Sequence, residues 1–165
     1  MKTVLLMRHA EAAPESAGQT DYDRPLTEDG IRIATQTGKA LKAAGVTIDR
    51  IVASAAVRTT ETARLVASKA SPECPVILLE GLYSAPAELF AQVPRQYGFE
   101  DEQTLLIVGH NPGIGQLICY FAKDLLSVPP ATLAGFQFDV AAWEEISRET
   151  ATLARLIRNG QTEIG

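Results

Sequence analysis

The sequence predicts an α/β fold, a three-layer sandwich in which helices flank a mostly parallel central sheet. Two observations support this fold class. Short apolar runs alternate along the chain with longer amphipathic segments, and strands that alternate with helices are typical of parallel sheets. The length of 165 residues is sufficient for one sizeable core. We therefore expect a single domain over residues 1–165.

The first strand is predicted over residues 2–7, where the run TVLLM ends abruptly at charged and polar residues. Residues 10–25 are rich in small and polar side chains and predict an irregular loop. Thr27 is the expected N-cap of a helix, because acidic residues follow it at the positive end of the helix dipole. A buried apolar stripe continues from there, and Gly45 is expected to end the helix.

The remaining elements follow the same alternation. Three further strands are predicted over residues 48–54, 75–79 and 104–109. Helices are predicted from Val57 to about Lys69, from Pro86 to about Gln96, and from Ile114 to Leu126. After the prolines at 129 and 130, the segments LAGFQFDV and ATLARLIRN alternate in polarity and predict a closing pair of strands.

Composition excludes several classes of function. The formal net charge of −5 disfavours a nucleic-acid partner or an anionic membrane surface. Cys74 and Cys119 are not spaced as a disulfide or zinc framework, so we expect two thiols. The apolar run near the start is too short for a signal-peptide core, and no run reaches membrane-spanning length. These features predict a cytoplasmic protein.

Unusual polar residues follow three of the predicted strands. His9 comes directly after the first strand and Arg8 precedes it, while His110 follows the strand over 104–109. Ser54 ends another strand, and the helix after it carries Arg58 near its N-terminus. Because parallel strands bring their carboxyl ends to one edge of the sheet, these side chains are expected to lie together there.

This set of residue types suits the chemistry of an oxyanion. A neutral imidazole is a good nucleophile toward phosphorus, and arginine can hold two phosphate oxygens with its forked guanidinium. Phosphoryl transfer otherwise depends mainly on positioning and on charge neutralisation. Two histidines without an acidic ligand cluster make a poor metal site, so we expect neither a metal ion nor a cofactor.

Four segments in the expected order resemble the histidine phosphatase superfamily, the group that includes phosphoglycerate mutases and SixA-type phosphohistidine phosphatases. RHA at residues 8–10 resembles the family's RHG signature, and RPLTEDG at 24–30 resembles its RPLT-x-x-G segment. SAAVRTTETA at 54–63 resembles S-P-x-x-R-x-x-x-T-A, and VGHNPG, which ends at Gly113, resembles the second-histidine motif. One such motif alone is weak, but four in order are specific.

The resemblance implies roles for the matching residues. His9 would be the nucleophile that forms a transient phosphohistidine. Arg8 and Arg58 would hold the phosphoryl oxygens, and His110 would bind the same group and stabilise the transition state. Ala10 replaces the usual glycine, which predicts a backbone that needs no positive φ there.

Arg24 and Glu80 each have two interpretations. Arg24 either adds a further contact to the phosphoryl group or pairs with an aspartate of its own loop, Asp21 or Asp23. Glu80 lies after the third strand, near the place where relatives that act on phosphate esters carry a general acid. It is either that acid or a solvated carboxylate at a strand end.

Three functions remain open at this stage. The favoured one is a phosphatase for phosphohistidine in a protein, because the short connection between the third and fourth strands predicts an open site. The second is a phosphatase for a small phosphomonoester, which would need a general acid such as Glu80. The third is a non-catalytic phosphate-binding module, which would have no use for a nucleophile. For either phosphatase, activity should fall below the pKa of His9, and the nearby arginines should lower that pKa.

Overall fold

A seven-stranded sheet forms the centre of the molecule, and the computed structural model describes all residues from 1 to 165. The strands are β1 (Lys2–Arg8), β2 (Arg50–Ser54), β3 (Val76–Leu79), β4 (Thr104–Gly109), β5 (Leu133–Phe138), β6 (Ala151–Arg158) and β7 (Gln161–Ile164). They lie in the order β3-β2-β4-β1-β5-β6-β7.

The sheet is mixed. β3, β2, β4 and β1 run parallel to one another, whereas β5, β6 and β7 form an antiparallel meander in which β5 pairs antiparallel with β1. The predicted closing pair of strands corresponds to β5 and β6. β7 is not predicted from the sequence, because its four residues are all exposed and carry no apolar pattern.

Four helices cover the two faces of the sheet, as the predicted sandwich requires. They are α1 (Glu28–Ala43), α2 (Val57–Ala70), α3 (Ala87–Tyr97) and α4 (Gly113–Ala122). Alternate residues of β1 point to opposite faces. Val4 and Leu6 pack in the core under α3 and α4, and Leu5 and Met7 pack in the core under α1 and α2.

The start of α1 is fixed by the predicted cap and by a close backbone contact. Thr27 Oγ1 accepts a hydrogen bond from the N–H of Gly30 at 3.0 Å. Gly30 lies so close to the carbonyl of Glu11 that a Cβ atom there would overlap it. The glycine of the RPLTEDG segment is therefore needed to let α1 approach the loop that follows β1.

The last helix is shorter than predicted. α4 ends at Ala122 because Lys123 adopts a left-handed conformation with φ of +59°. Leu125 and Leu126 follow outside the helix, and Leu125 is 93% exposed. The apolar pattern therefore extended the prediction past the true end of the helix.

Strand register brings the predicted functional residues to one edge of the sheet. Arg8 of β1 lies opposite Gly109 of β4, and Ser54 of β2 lies opposite Leu79 of β3. Three single 3-10 turns, Asp21–Asp23, Glu80–Leu82 and Trp143–Glu145, lie in the connections. Cys74 and Cys119 are free thiols, and none of the four helices has the length and apolarity needed to cross a bilayer.

Candidate active site

Two imidazole rings face each other at the carboxyl edge of the parallel strands. The ring centroids of His9 and His110 are 5.5 Å apart. The pairing of β1 with β4 sets this distance, because the N–H of His9 donates to the carbonyl of Gly109 at 3.1 Å, directly before His110. The structure thus brings together two histidines that lie far apart in the sequence, at positions 9 and 110.

The tautomer of His9 follows from its shortest contact. Its Nδ1 lies 2.7 Å from the carbonyl oxygen of Ala10. A carbonyl oxygen only accepts hydrogen bonds, so Nδ1 carries the hydrogen and Nε2 keeps a free lone pair. Ala10 itself is buried, its N–H donates to Oγ1 of Thr62, and its φ is not positive, as predicted for an alanine in this place. Nε2 is therefore the nitrogen available for nucleophilic attack.

The surroundings of His9 keep the ring neutral. The pKa of His9 is lowered to about 4, chiefly by burial and in addition by the positive charges of Arg58, Arg8 and Arg24. The hydrogen bond to Ala10 acts in the opposite direction but does not outweigh burial. At neutral pH the imidazole is thus unprotonated, which is the form that attacks phosphorus.

His110 is held by a residue at the end of β2. Its Nε2 lies 2.8 Å from Oγ of Ser54, and the N–H of Ala56 donates to the same Oγ. Ser54 is buried and its hydroxyl has no other acceptor within hydrogen-bond distance, so the hydroxyl donates to Nε2 and the hydrogen of His110 is on Nδ1. Burial and then the charge of Arg58 lower the pKa of His110 to about 3. His110 is therefore a neutral donor through Nδ1, an atom that is buried and has no partner in the protein.

The two predicted phosphate arginines are both present, and each leaves one buried donor unused. Arg8 Nη1 donates to the carbonyl of Val128 at 3.0 Å, while its Nε has no partner. Arg58 is 6% exposed and donates through Nη1 and Nη2 to Asp21, while its Nε also has no partner. Buried N–H groups are nearly always paired, so these donors indicate a place for an acceptor that the chain does not provide.

Arg24 pairs within its own loop, the second of its two predicted interpretations. Its Nη1 donates to Oδ1 of Asp21 at 2.9 Å, and its Nε donates to the carbonyl of Ala13 at 2.8 Å. Asp23 is instead bound by the hydroxyl of Thr20. Arg24 nevertheless lies close enough to His9 for its charge to lower the pKa of the ring.

The sequence does not predict Asp21 and Tyr83 as site residues, nor does it predict the bond between Ser54 and His110. The Tyr83 hydroxyl donates to Oδ2 of Asp21 at 2.6 Å, and the Tyr83 ring meets the His110 ring edge-on with centroids 5.6 Å apart. The sequence indicates Asp21 only as one of two candidate partners of Arg24, which lies three residues after it. Nothing in the spacing of Tyr83 indicates its contact with a residue 62 positions earlier.

Glu80, the predicted general acid, lies in the turn after β3. Its side chain is exposed and makes no hydrogen bond or ion pair. The cleft that it lines lies between this turn and α3, with Leu78, Leu89 and Tyr97 among the other lining residues and neither histidine among them. Its role as an acid stays a prediction.

A resident metal ion has no evident ligand set in the structure. No three histidine, cysteine, aspartate or glutamate side chains are grouped so that they could hold one. The metal independence expected from the sequence stays a prediction, because it concerns the reaction rather than the side chains alone.

Comparison with known proteins extends these observations. Residues 4–85 match the model of the histidine phosphatase superfamily (branch 1). The uncharacterized protein Rv1276c of Mycobacterium tuberculosis is 32% identical over 147 residues, which cover 88% of this chain and 82% of that protein.

Solved structures share the fold. A structure from Nakamurella multipartitia, described as a phosphohistidine phosphatase SixA, superposes with a TM-score of 0.81 at 28% identity and covers 95% of each chain. A phosphoserine phosphatase from Entamoeba histolytica has a TM-score of 0.64 at 16% identity and covers 94% of this chain and 96% of that one.

These findings agree with the site that the structure assembles from four separate segments. The sandwich fold, the two facing histidines and the paired arginines occur where the sequence motifs predict them. The family model matches the first three of those motifs, and the similarity to the SixA structure confirms the predicted resemblance. The chain belongs to the histidine phosphatase superfamily.

Proposed function

We propose that this phosphatase acts through a covalent phosphohistidine intermediate and removes phosphate from phosphohistidine in a protein. Nε2 of His9 attacks phosphorus, the bond between phosphorus and the substrate's imidazole nitrogen breaks, and the imidazole leaves. A water molecule then attacks the phosphohistidine and releases inorganic phosphate. This second step returns Nε2 of His9 to its free form.

The observation that carries this proposal is the set of unsatisfied donors around a neutral nucleophile. Nε of Arg8, Nε of Arg58 and Nδ1 of His110 are buried without partners. A phosphoryl group offers acceptor oxygens to such donors, and its negative charge complements the guanidinium groups. Hydrogen bonds that tighten as charge builds on those oxygens would stabilise the transition state.

The choice of substrate rests on the contacts made by carboxylates. Asp21 is the one carboxylate bonded to the arginines of the site, and the hydrogen bonds from Tyr83 and Arg24 hold its pKa well below the usual range. An ionised carboxylate cannot donate a proton to a departing alkoxide. A protonated imidazole needs no such donor, so a phosphorus–nitrogen bond suits this site better than an ester. The β3–β4 connection carries only the short turn Glu80–Leu82 and α3, which supports access by a folded protein.

The direct test is release of phosphate from a phosphocarrier protein that is phosphorylated on histidine, with His9→Ala as the control. We expect turnover by the native chain, none by the variant, and an acid-labile phosphate trapped on His9 after rapid quenching. Chelator in a parallel assay tests the expected independence from metal ions. The protein substrate is excluded if the phosphocarrier is ignored while a sugar phosphate or nucleotide is hydrolysed quickly.

The alternative substrate is a small phosphomonoester, favoured by the fold shared with the phosphoserine phosphatase. This function would require Glu80, or another acid, to reach the leaving oxygen. Glu80→Gln should then abolish turnover of esters and leave the phosphocarrier reaction unchanged.

A chain that forms no acid-labile phosphate and has the same activity after His9→Ala would instead be a phosphate-binding module. The expected cytoplasmic location stays a prediction.

A further inference from the structure

A carboxylate lies among the arginines that were expected to hold the phosphoryl group. Asp21 accepts hydrogen bonds from Arg24 at 2.9 Å, from Arg58 at 3.1 Å and from the Tyr83 hydroxyl at 2.6 Å. Its backbone carbonyl accepts a fourth, from Nη1 of Arg58 at 2.7 Å. Arg58 therefore directs both terminal nitrogens of its guanidinium to one residue of its own chain.

The charges of the site show what this carboxylate does to an incoming anion. The positive charge of the site comes from three guanidinium groups, those of Arg8, Arg24 and Arg58, since both histidines are neutral at pH 7. The carboxylate of Asp21 carries a single negative charge among them. Any oxyanion that reaches Arg58 must either replace Asp21 or bind beside it. In both cases the negative charge of Asp21 opposes binding.

We propose that Asp21 is an internal anion that competes with phosphate for Arg58 and so speeds release of the phosphate product. Its side chain is 44% exposed and sits on a loop, whereas the Arg58 side chain is 8% exposed and sits on α2. The carboxylate is thus the partner that can move when a phosphoryl group arrives and return when phosphate leaves. This role rests on the proposed function, since it requires the phosphate site next to His9.

A competing anion and a purely positioning residue predict opposite outcomes. If Asp21 only fixes the guanidinium of Arg58, its removal should weaken phosphate binding. If it competes, its removal should strengthen binding. Asp21→Asn removes the charge and keeps an oxygen acceptor for Arg58, whereas Asp21→Ala removes both. The pair of variants therefore separates charge from geometry.

Asp23 provides a matched control. It lies two residues away on the same turn, it is exposed, and its side chain is bound only by the Thr20 hydroxyl. Asp23→Asn changes the net charge of the protein by the same amount without touching an arginine of the site. Thermal melts of all three variants should show that they fold.

The experiment is calorimetric titration of inorganic phosphate into the native chain and the three variants at fixed ionic strength. We expect Asp21→Asn to bind phosphate about tenfold more tightly, the order expected for removing one charge within about 10 Å of the anion. Asp21→Ala should also bind more tightly, Asp23→Asn should change affinity less than about twofold, and product inhibition by phosphate should increase in parallel.

Two failures are distinguishable. Measurable binding that is equal to or weaker than native in Asp21→Asn overturns the competing role and leaves the phosphate site intact. Absence of measurable phosphate binding by Asp21→Asn also overturns the competing role, whereas the proposed function is overturned only if the phosphocarrier assay shows neither turnover nor an acid-labile phosphate on His9.

Discussion

Acid should destabilise the folded protein through its two buried histidines. In the folded state their pKa values are about 4 for His9 and about 3 for His110, whereas an imidazole in an unfolded chain protonates near about 6.5. Between these limits the unfolded state binds protons that the folded state does not. The free energy of unfolding therefore falls as the pH falls below the unfolded pKa.

The size of this effect follows from the two pKa differences. On going from pH 7 to pH 5, each histidine becomes protonated in the unfolded state and stays neutral in the folded state. Each then lowers the free energy of unfolding by about 2 kcal/mol, which gives about 4 kcal/mol for the pair. Most carboxylates titrate below pH 5 and contribute little in this window.

Urea titration at the two pH values measures the loss. The fluorescence of Trp143, which is the only tryptophan and is 3% exposed, reports unfolding. The buffer must be free of phosphate, because a bound anion would stabilise the folded state. The control is the double variant His9→Asn with His110→Gln, which should lose about 4 kcal/mol less than the native chain. Equal losses in both proteins would refute the assignment of neutral, buried imidazoles.

Three further predictions concern catalysis and packing. The acid limb of kcat/KM should be centred near pH 4, the pKa of His9, and a limb near about 6.5 in a pH–rate profile would contradict the lowered pKa. Ser54→Ala should reduce kcat by about tenfold in steady-state assays, because His110 loses the hydrogen bond to Nε2 that sets its tautomer, and an unchanged kcat would remove that role. Gly30→Ala should lower the free energy of unfolding by about 1–3 kcal/mol, whereas the control Gly81→Ala, at a site with open space, should be nearly neutral in the same urea titration.

The sequence predicts the parallel half of the fold well because its strands are buried runs with sharp polar ends. β4 matches the predicted range of 104–109, and β1 to β3 differ by at most two residues at either end. The predicted elements are wrong where the apolar pattern of the sequence does not match the end or the presence of an element. α4 ends before Leu125 although the pattern continues, and β7 pairs through its backbone with no buried side chain to mark it.

The candidate site also contains residues that the sequence predicts and contacts that it does not. His9, His110 and the arginines could be named because their chemistry is unusual directly after apolar strands. The tautomer of His9 and the bond between Asp21 and Tyr83 depend on atomic distances between loops, and no sequence spacing encodes those. The lowered pKa of His9 is likewise only partly predicted from the sequence. Its direction was expected from the arginines, but burial, which needs a packed structure, is the larger cause.

The hydrogen bond that orients His9 is made by the very next residue. Because Nδ1 donates to the carbonyl of Ala10, the free nitrogen of the proposed nucleophile is set by the residue that follows it and not by Asp21 or Tyr83. The segment around Asp21, which lies beyond Ala10 in the same loop, and the segment around Tyr83 are thus free to change without altering which nitrogen of His9 is free. A designer who wished to redirect the protein toward another phosphorylated compound could exchange these two segments and retain residues 8–10 unchanged.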